Sequence, residues 1–278
     1  MDQTFNYWHN SSLFPKYFLL FRWSKELGLI KKLSFARDRL EPHLAHGRML
    51  MAKVICLTSI LDDIYDSYGT LIEELLLLTD AMQRWDIVEV EGLPEYMKTY
   101  FMVLSDTIKE FEDMLLDGQK SYFVQYLKEE IKTIAKVYLK EAEYWCNEGH
   151  IPTLQDHLQV SIISSGTSLL ICGFFLCMRD IATQDTFDWL ASYPKIIEAS
   201  AMITRLMGDI SSHEFEENWQ HVACTVRCYM EEYGVSKEMA RKKLREMVDT
   251  AWKVMNEEWI KTTQIPLQLL AVPFRVCA

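Results

Sequence analysis

The chain has 278 residues, 49% of them hydrophobic, with 29 basic and 40 acidic side chains and a net charge of −11. That length and apolar share can bury a sizeable core, while the negative balance excludes the clustered Lys and Arg of a nucleic-acid binder. An acidic protein can still take an anionic ligand where metal cations stand between the two.

The opening MDQTFNYWHNSSLF lacks the basic start and long apolar core of a signal peptide. Seven cysteines form no CxxC, and the pairs Cys172/Cys177 and Cys224/Cys228 fall in apolar helical segments. Both features predict reduced core thiols and a cytoplasmic location. Ten Gly and seven Pro fall between long runs of 3.6-residue apolar period. The runs predict helices over roughly 16–28, 43–67, 71–85, 95–117, 120–147, 155–178, 194–217, 219–233 and 236–260. Pro194 suits a first helical position and Gly234 a C-terminal cap. No useful strand alternation, repeat or linker interrupts them, so the expected fold is all-α, in a single domain over 1–278. The uncharged run VSIISSGTSLLICGFFLCM, residues 160–178, is long enough to span a bilayer. Its Ser161, Ser164, Ser165, Gly166, Thr167 and Ser168 dilute it, and a helix buried all round in a bundle is expected instead.

One run ends oddly. The apolar stretch MLMAKVICLTSIL leads into DDIYD, so that Asp62, Asp63 and Asp66 share one helix end. On a helix Asp62 and Asp66 lie about 40° apart, and Asp63 about 100° from Asp62. Negative charge at a helix C-terminus opposes the macrodipole, which makes a merely solvated end a poor explanation. Grouped carboxylates are hard oxygen ligands of the kind Mg²⁺ takes together with substrate phosphates and water. Downstream, in RLMGDISSHEFEE, positions 208, 212 and 216 share one helix face at steps of four. Ser212 and Glu216 offer oxygen on that stripe, Arg205 lies one turn before it, and Asp209 stands beside it. The histidines complete no HExxH or zinc set.

These blocks resemble the catalytic α-domain of plant terpene synthases, most closely the sesquiterpene cyclases. The matches run in order through FARDR (35–39), LTSILDDIYDSYGT (57–70), TDAMQRWD (79–86), WLASYPKIIEASAMITRLM (189–207), DISSHEFE (209–216) and TAWKVMNEEW (250–259). The resemblance implies an isoprenoid-synthase-like helical bundle around a central cavity. It implies that Asp62, Asp63 and Asp66 hold Mg²⁺ against a prenyl diphosphate, with up to three ions in all and Mn²⁺ as an alternative. Position 208, Ser212 and Glu216 correspond to the second metal motif, with Asp209 as the neighbouring carboxylate. Arg37, Arg39 and Arg205 correspond to arginines that bind the leaving diphosphate, a match of guanidinium fork to phosphate oxygens. Trp23 and Tyr65 are candidates for cation–π contact with a carbocation. Ser165, Gly166 and Thr167 fall at a helix break whose carbonyls face the cavity.

The implied activity is Mg²⁺-dependent ionisation of a prenyl diphosphate, farnesyl diphosphate above all, to a sesquiterpene. A monomer, with no membrane and no nucleic-acid partner, goes with it. A trans-prenyltransferase would want a second DDxxD, and RLMGDISSHEFEE is not one. Four departures set up a competing expectation, a truncated family member that at most binds Mg²⁺ and a prenyl diphosphate. Gly208 removes a ligand, about a dozen residues are missing after Arg39, and the chain stops at IPLQLLAVPFRVCA. The usual N-terminal helical domain is the fourth absence.

Overall fold

The computed structural model describes residues 42–66, 71–86, 92–116, 120–146, 151–216 and 224–277, and within them not the side chains of 42–46, 116, 144–146 and 214–216. Twelve helices make up the described residues. They are α1 (Pro42–Asp66), α2 (Ile72–Arg84), α3 (Glu95–Leu116), α4 (Phe123–Cys146), α5 (Leu154–Ser164) and α6 (Thr167–Cys177). The second half holds α7 (Gln184–Ala191), α8 (Lys195–Glu216), α9 (Thr225–Tyr233), α10 (Lys237–Lys261), α11 (Leu267–Leu270) and α12 (Val272–Val276). The predicted helix over 16–28 lies outside the described residues.

The bundle is arranged about α6, which packs on α1, α4, α5, α7, α8 and α12. Its sequence, TSLLICGFFLC, carries no charge, and Leu169, Ile171, Cys172, Phe175 and Leu176 are almost fully buried. Surrounded on every side, the helix has no polar face to present. The stretch Leu154–Cys177 therefore meets a membrane-span test of length and hydropathy while most of it is buried inside the bundle. Where α6 meets α1 there is no space for side chains. A Cβ at Gly173 would stand 2.9 Å from Met51 Sδ, and Cys177 Sγ donates to Gly47 O at 3.0 Å. Phe123, Phe175 and Phe187 close the far side of the core, with Phe123 and Phe187 stacked at 4.5 Å.

The single helix that the apolar period gives over 155–178 is two helices, broken at the point where the family resemblance implies a break. Ser165 is a turn, and Gly166 takes φ +69°, ψ 5°. That left-handed conformation ends α5 and restarts the chain as α6, and it suits only a residue without Cβ. Nothing in the apolar period marks the break, because both halves are buried. Thr153 caps α5 by accepting from Asp156 N, and Ser236 caps α10 by accepting from Met239 N. Gly234 ends α9 at φ +61°, as its place in the sequence predicts. Helix α7 was not expected. It is only eight residues long, and its start signal is a reciprocal Thr183–Thr186 pair rather than a Ser/Thr with Glu three residues on.

The six described cysteines are free thiols. Replacing Gly166 by Ala puts a Cβ into the left-handed region and 3.3 Å from Ile134 Cδ1. Gly166→Ala is expected to cost about 1–2 kcal/mol, read as a melting temperature lower by a few degrees, about 2–4 °C per kcal/mol. An unchanged melting temperature would mean that the break tolerates a side chain.

Candidate active site

A cavity of about 460 Å³ opens where α1, α4, α5, α6, α8 and the start of α9 converge. Its wall includes Asp62 and Asp66 from α1, Tyr138 and Glu141 from α4, and Ser164 and Ser165 at the helix break. Thr204, Arg205, Gly208 and Asp209 of α8 share the lining. Ile55, Thr58, Ser59, Tyr65, Ala142, His157, Leu170 and Cys224 complete the lining. The α1 carboxylates arrive there because α1 buries Leu61 and Ile64 against the core, which turns 62 and 66 to the cavity. Asp63, about 100° round the helix from Asp62, is half-buried and is not part of the lining.

Arg205 organises the other wall. Its Nε donates to Ser161 O at 2.9 Å and its Nη2 to Ser164 Oγ at 2.9 Å, while Nη1 reaches Asp209 Oδ1 at 3.4 Å. A guanidinium has five N–H groups. Three are used on the protein, and two have no hydrogen-bond partner among the described residues. Ser164 in turn donates to Glu141 Oε1 at 2.7 Å, so one hydroxyl links a carboxylate to the guanidinium. Both acceptors lie in the last turn of α5, where Ser161 O also accepts from Ser165 N at 3.1 Å.

The electrostatics are lopsided. Burial would raise Asp209, but hydrogen bonding with His157, the Arg205 charge and two donors from Thr225 outweigh it and hold the group at about 2. Asp209 thus matches Arg205, and the remaining acids have no equal counter-charge among the described residues. Asp62 is pushed up to about 7, first by burial and then by Asp66 and Glu141, against the pull of Arg205 and a hydrogen bond from Tyr138. Its side chain has a large accessible surface because the cavity itself admits solvent, although protein surrounds it. Burial also raises Asp66, Asp63 and Glu141, with Arg205 opposing the shift in Asp66 and Glu141.

The structure brings Asp62, Asp66, Tyr65, Ser165, Arg205 and Asp209 to one cavity, together with Gly208. Tyr65 is held by a 2.6 Å hydrogen bond to Thr79 Oγ1, and its ring is tilted against Tyr138 at 5.8 Å. Gly166 and Thr167, expected to face the ligand, lie behind the wall. Thr167 is 1% exposed, and Ser165 is the residue of that trio on the lining. Asp209 is also turned from the expected role of metal ligand. Its Oδ2 accepts from Thr225 N at 2.7 Å and from Thr225 Oγ1, so the carboxylate points into the wall. Ser212 donates back to Gly208 O at 3.0 Å. Trp23, Arg37, Arg39 and the point after Arg39 where about a dozen residues were expected to be missing lie outside the described residues, as does the side chain of Glu216. Glu141 and Tyr138 are additions that the sequence reading missed.

Among the described residues no three His, Cys, Asp or Glu side chains are pre-assembled as a cation cage. The surplus of facing carboxylates nonetheless fits ions that arrive with their own anionic ligand. Asp62, Asp66 and Glu141 are oxygen donors on one cavity. The second motif fits less well, because a Cβ at Gly208 would meet nothing within 4 Å and no oxygen fills that space.

A family profile described as "Terpene synthase family, metal binding domain" matches residues 25–254. The chain belongs to the terpene synthase family. It is 47% identical over 262 residues to hedycaryol synthase of Cannabis sativa, covering 90% of this chain and 47% of that one. With valencene synthase of Vitis vinifera it shares 44% over 264 residues, or 91% of this chain and 47% of the relative. The chain thus spans about half the length of the curated relatives it matches. Among solved structures it resembles isoprene synthase from grey poplar leaves, in complex with three Mg²⁺ ions and dimethylallyl-S-thiolodiphosphate. There the TM-score is 0.77 at 30% identity, over 96% of this chain and 53% of that chain. Limonene synthase with 2-fluorolinalyl diphosphate gives a TM-score of 0.78 at 30% identity, over 92% and 50%.

For a terpene synthase without bound metal, the raised Asp62 has a definite consequence. A carboxyl whose folded pKa lies above its unfolded value contributes stability below the unfolded value and loses it as pH rises through the folded one. The metal-free protein should therefore lose stability as pH rises from about 4 to 7, with the steepest loss between those two values and a levelling-off above 7. Asp62→Asn is expected to flatten that slope in thermal melts across the range. A slope that persists undiminished would show that Asp62 titrates normally.

Proposed function

We propose that this chain carries the catalytic chemistry of a sesquiterpene-type synthase, ionising a prenyl diphosphate, farnesyl diphosphate above all, with release of diphosphate. The observation that carries this reading is the single cavity on which Asp62, Asp66 and Glu141 face Arg205. Facing carboxylates alone would repel a diphosphate, and an arginine alone would not need them. Together they suit an anion accompanied by divalent cations. The similarity to isoprene synthase, whose structure holds three Mg²⁺ ions and a thiolodiphosphate analogue, points to the same class of ligand.

Mg²⁺, when bound, supplies Lewis-acid stabilisation of the departing diphosphate charge. Asp62 and Asp66 would hold it from α1 and Glu141 from α4, while Asp63 stands one step outside the lining. Ser212 and Glu216 of α8 would complete the opposite side, where Gly208 contributes no oxygen. The two N–H groups of Arg205 not committed to the wall would bind the diphosphate, guanidinium geometry matching its oxygens. Departure of diphosphate leaves positive charge on the allylic chain, and the rings of Tyr65 and Tyr138 border the space it would occupy. Cation–π attraction at such faces is worth about 2 kcal/mol or more when desolvated. The lining at Ile55 and Leu170 supplies apolar surface, and Thr58, Ser59 and Thr204 place hydroxyls on it.

The test is incubation of the chain with geranyl, farnesyl and geranylgeranyl diphosphates and Mg²⁺, reading terpenoid products by gas chromatography and diphosphate release in parallel. The expected result is Mg²⁺-dependent diphosphate release, fastest with farnesyl diphosphate and abolished by Arg205→Ala. Release that is equally fast without divalent cation, or unaffected by Arg205→Ala, would contradict the proposal.

A further inference from the structure

Asp209 borders the cavity yet is only 4% exposed, and its two oxygens have separate partners. Oδ1 faces Arg205 Nη1 at 3.4 Å on the same helix, whereas Oδ2 accepts both the backbone N–H and the hydroxyl of Thr225. Thr225 is the first residue of α9, so Asp209 satisfies one of the orphan donors at that helix start and places negative charge where the dipole favours it. The Thr225 hydroxyl has one hydrogen, which goes to Asp209. Its 3.1 Å contact with His157 Nε2 is therefore accepted, and Nε2 carries a proton. One carboxylate thus joins α5 through His157, α8 through Arg205 and α9 through Thr225.

We propose that Asp209 is a positioning residue for Arg205, fixing the plane of the guanidinium so that its two uncommitted N–H groups face the diphosphate. The inference rests on the reading of the cavity as a diphosphate site. Three fixed contacts define a plane, and Ser161 O and Ser164 Oγ restrain only the Nε and Nη2 side of the guanidinium. Without Asp209 the Nη1 side has no restraint among the contacts described for it, and the fork swings away from its bidentate geometry. Asp209 itself does not move, because α9 holds its other oxygen. This accounts for a carboxylate inside a metal-motif segment whose oxygens are turned into the wall. A buried Arg–Asp pair kept only for stability would be easy to replace by apolar packing, whereas a pair that aims a ligand-binding group would not.

The experiment is a double-mutant cycle on the affinity for inorganic diphosphate at saturating Mg²⁺, measured by titration calorimetry on the full chain. Asp209→Asn keeps the shape and is expected to weaken diphosphate binding about tenfold, the size of a lost charge-assisted hydrogen bond. In an Arg205→Ala background it should add nothing, because its effect runs through the arginine. Mn²⁺ binding without diphosphate, followed by electron paramagnetic resonance, should be the same in Asp209→Asn as in the parent. If Asp209→Asn does not fold, Thr225→Val serves in its place. It removes only the hydroxyl that holds Asp209 and should weaken binding when Arg205 is present, while Thr225→Ser should not. Additive effects in the cycle, or affinity unchanged in both Asp209→Asn and Thr225→Val, would overturn the positioning role. Lost Mn²⁺ binding in Asp209→Asn would make the residue a metal ligand and overturn it too. A parent chain that does not bind diphosphate with Mg²⁺ would instead remove the functional reading beneath it.

Discussion

Everything at this site follows from one arginine placed among too many carboxylates. Arg205 is fixed on α8 by a backbone carbonyl, a serine hydroxyl and Asp209, and around it stand Asp62, Asp66 and Glu141. A guanidinium can neutralise one of these four acids, and Asp209, held ionised, is the one it matches. The rest must take up protons or cations. The lift of Asp62 to about 7 is the proton answer, given in the absence of any ion. A diphosphate accompanied by divalent cations is the other, and it relieves the carboxylates and uses the arginine at once.

That charge arrangement depends on the path of the backbone. The left-handed Gly166 ends α5, and Arg205 docks on the last turn of that helix: its Nε donates to Ser161 O, which also accepts from Ser165 N at 3.1 Å, and its Nη2 donates to Ser164 Oγ. The apolar content of the same segment supplies the rigid post from which the site hangs, since α6 is buried against six neighbours. A sequence that passes for a membrane span by hydropathy is here the centre of the bundle.

Parts of this could be read from the amino acids alone. Three aspartates at the end of an apolar helix oppose its dipole, so DDIYD stood out; the sequence reading grouped all three on one arc as metal ligands, whereas Asp62 and Asp66 line the cavity and Asp63, about 100° round the helix, does not. The same reasoning placed Asp209 off the 208–212–216 stripe, which its hydrogen bonds to Thr225 bear out geometrically. Glu141 and Tyr138 were not legible. In KEEIKTIAKVYLKEAEYW nothing distinguishes Glu141 from Glu129, Glu130 or Glu143 until the neighbour of each face is known. The helix break was invisible to periodicity for a related reason: a segment buried on all sides has no polar stripe whose phase could shift. Gly166 and Thr167 were placed at the cavity by family likeness, but a left-handed glycine packed on Ile134 faces the core.

The most direct test of the central claim is whether metal and anion need one another. A ligand that binds only the folded state raises stability by RT ln(1 + [L]/Kd), so thermal melts report occupancy without turnover. The account predicts that Mg²⁺ plus inorganic diphosphate raises the melting temperature by more than the two separate shifts added together. It also predicts that the excess disappears in the Asp62→Ala/Asp66→Ala double variant. Shifts that merely add, or an excess that survives in the double variant, would contradict it.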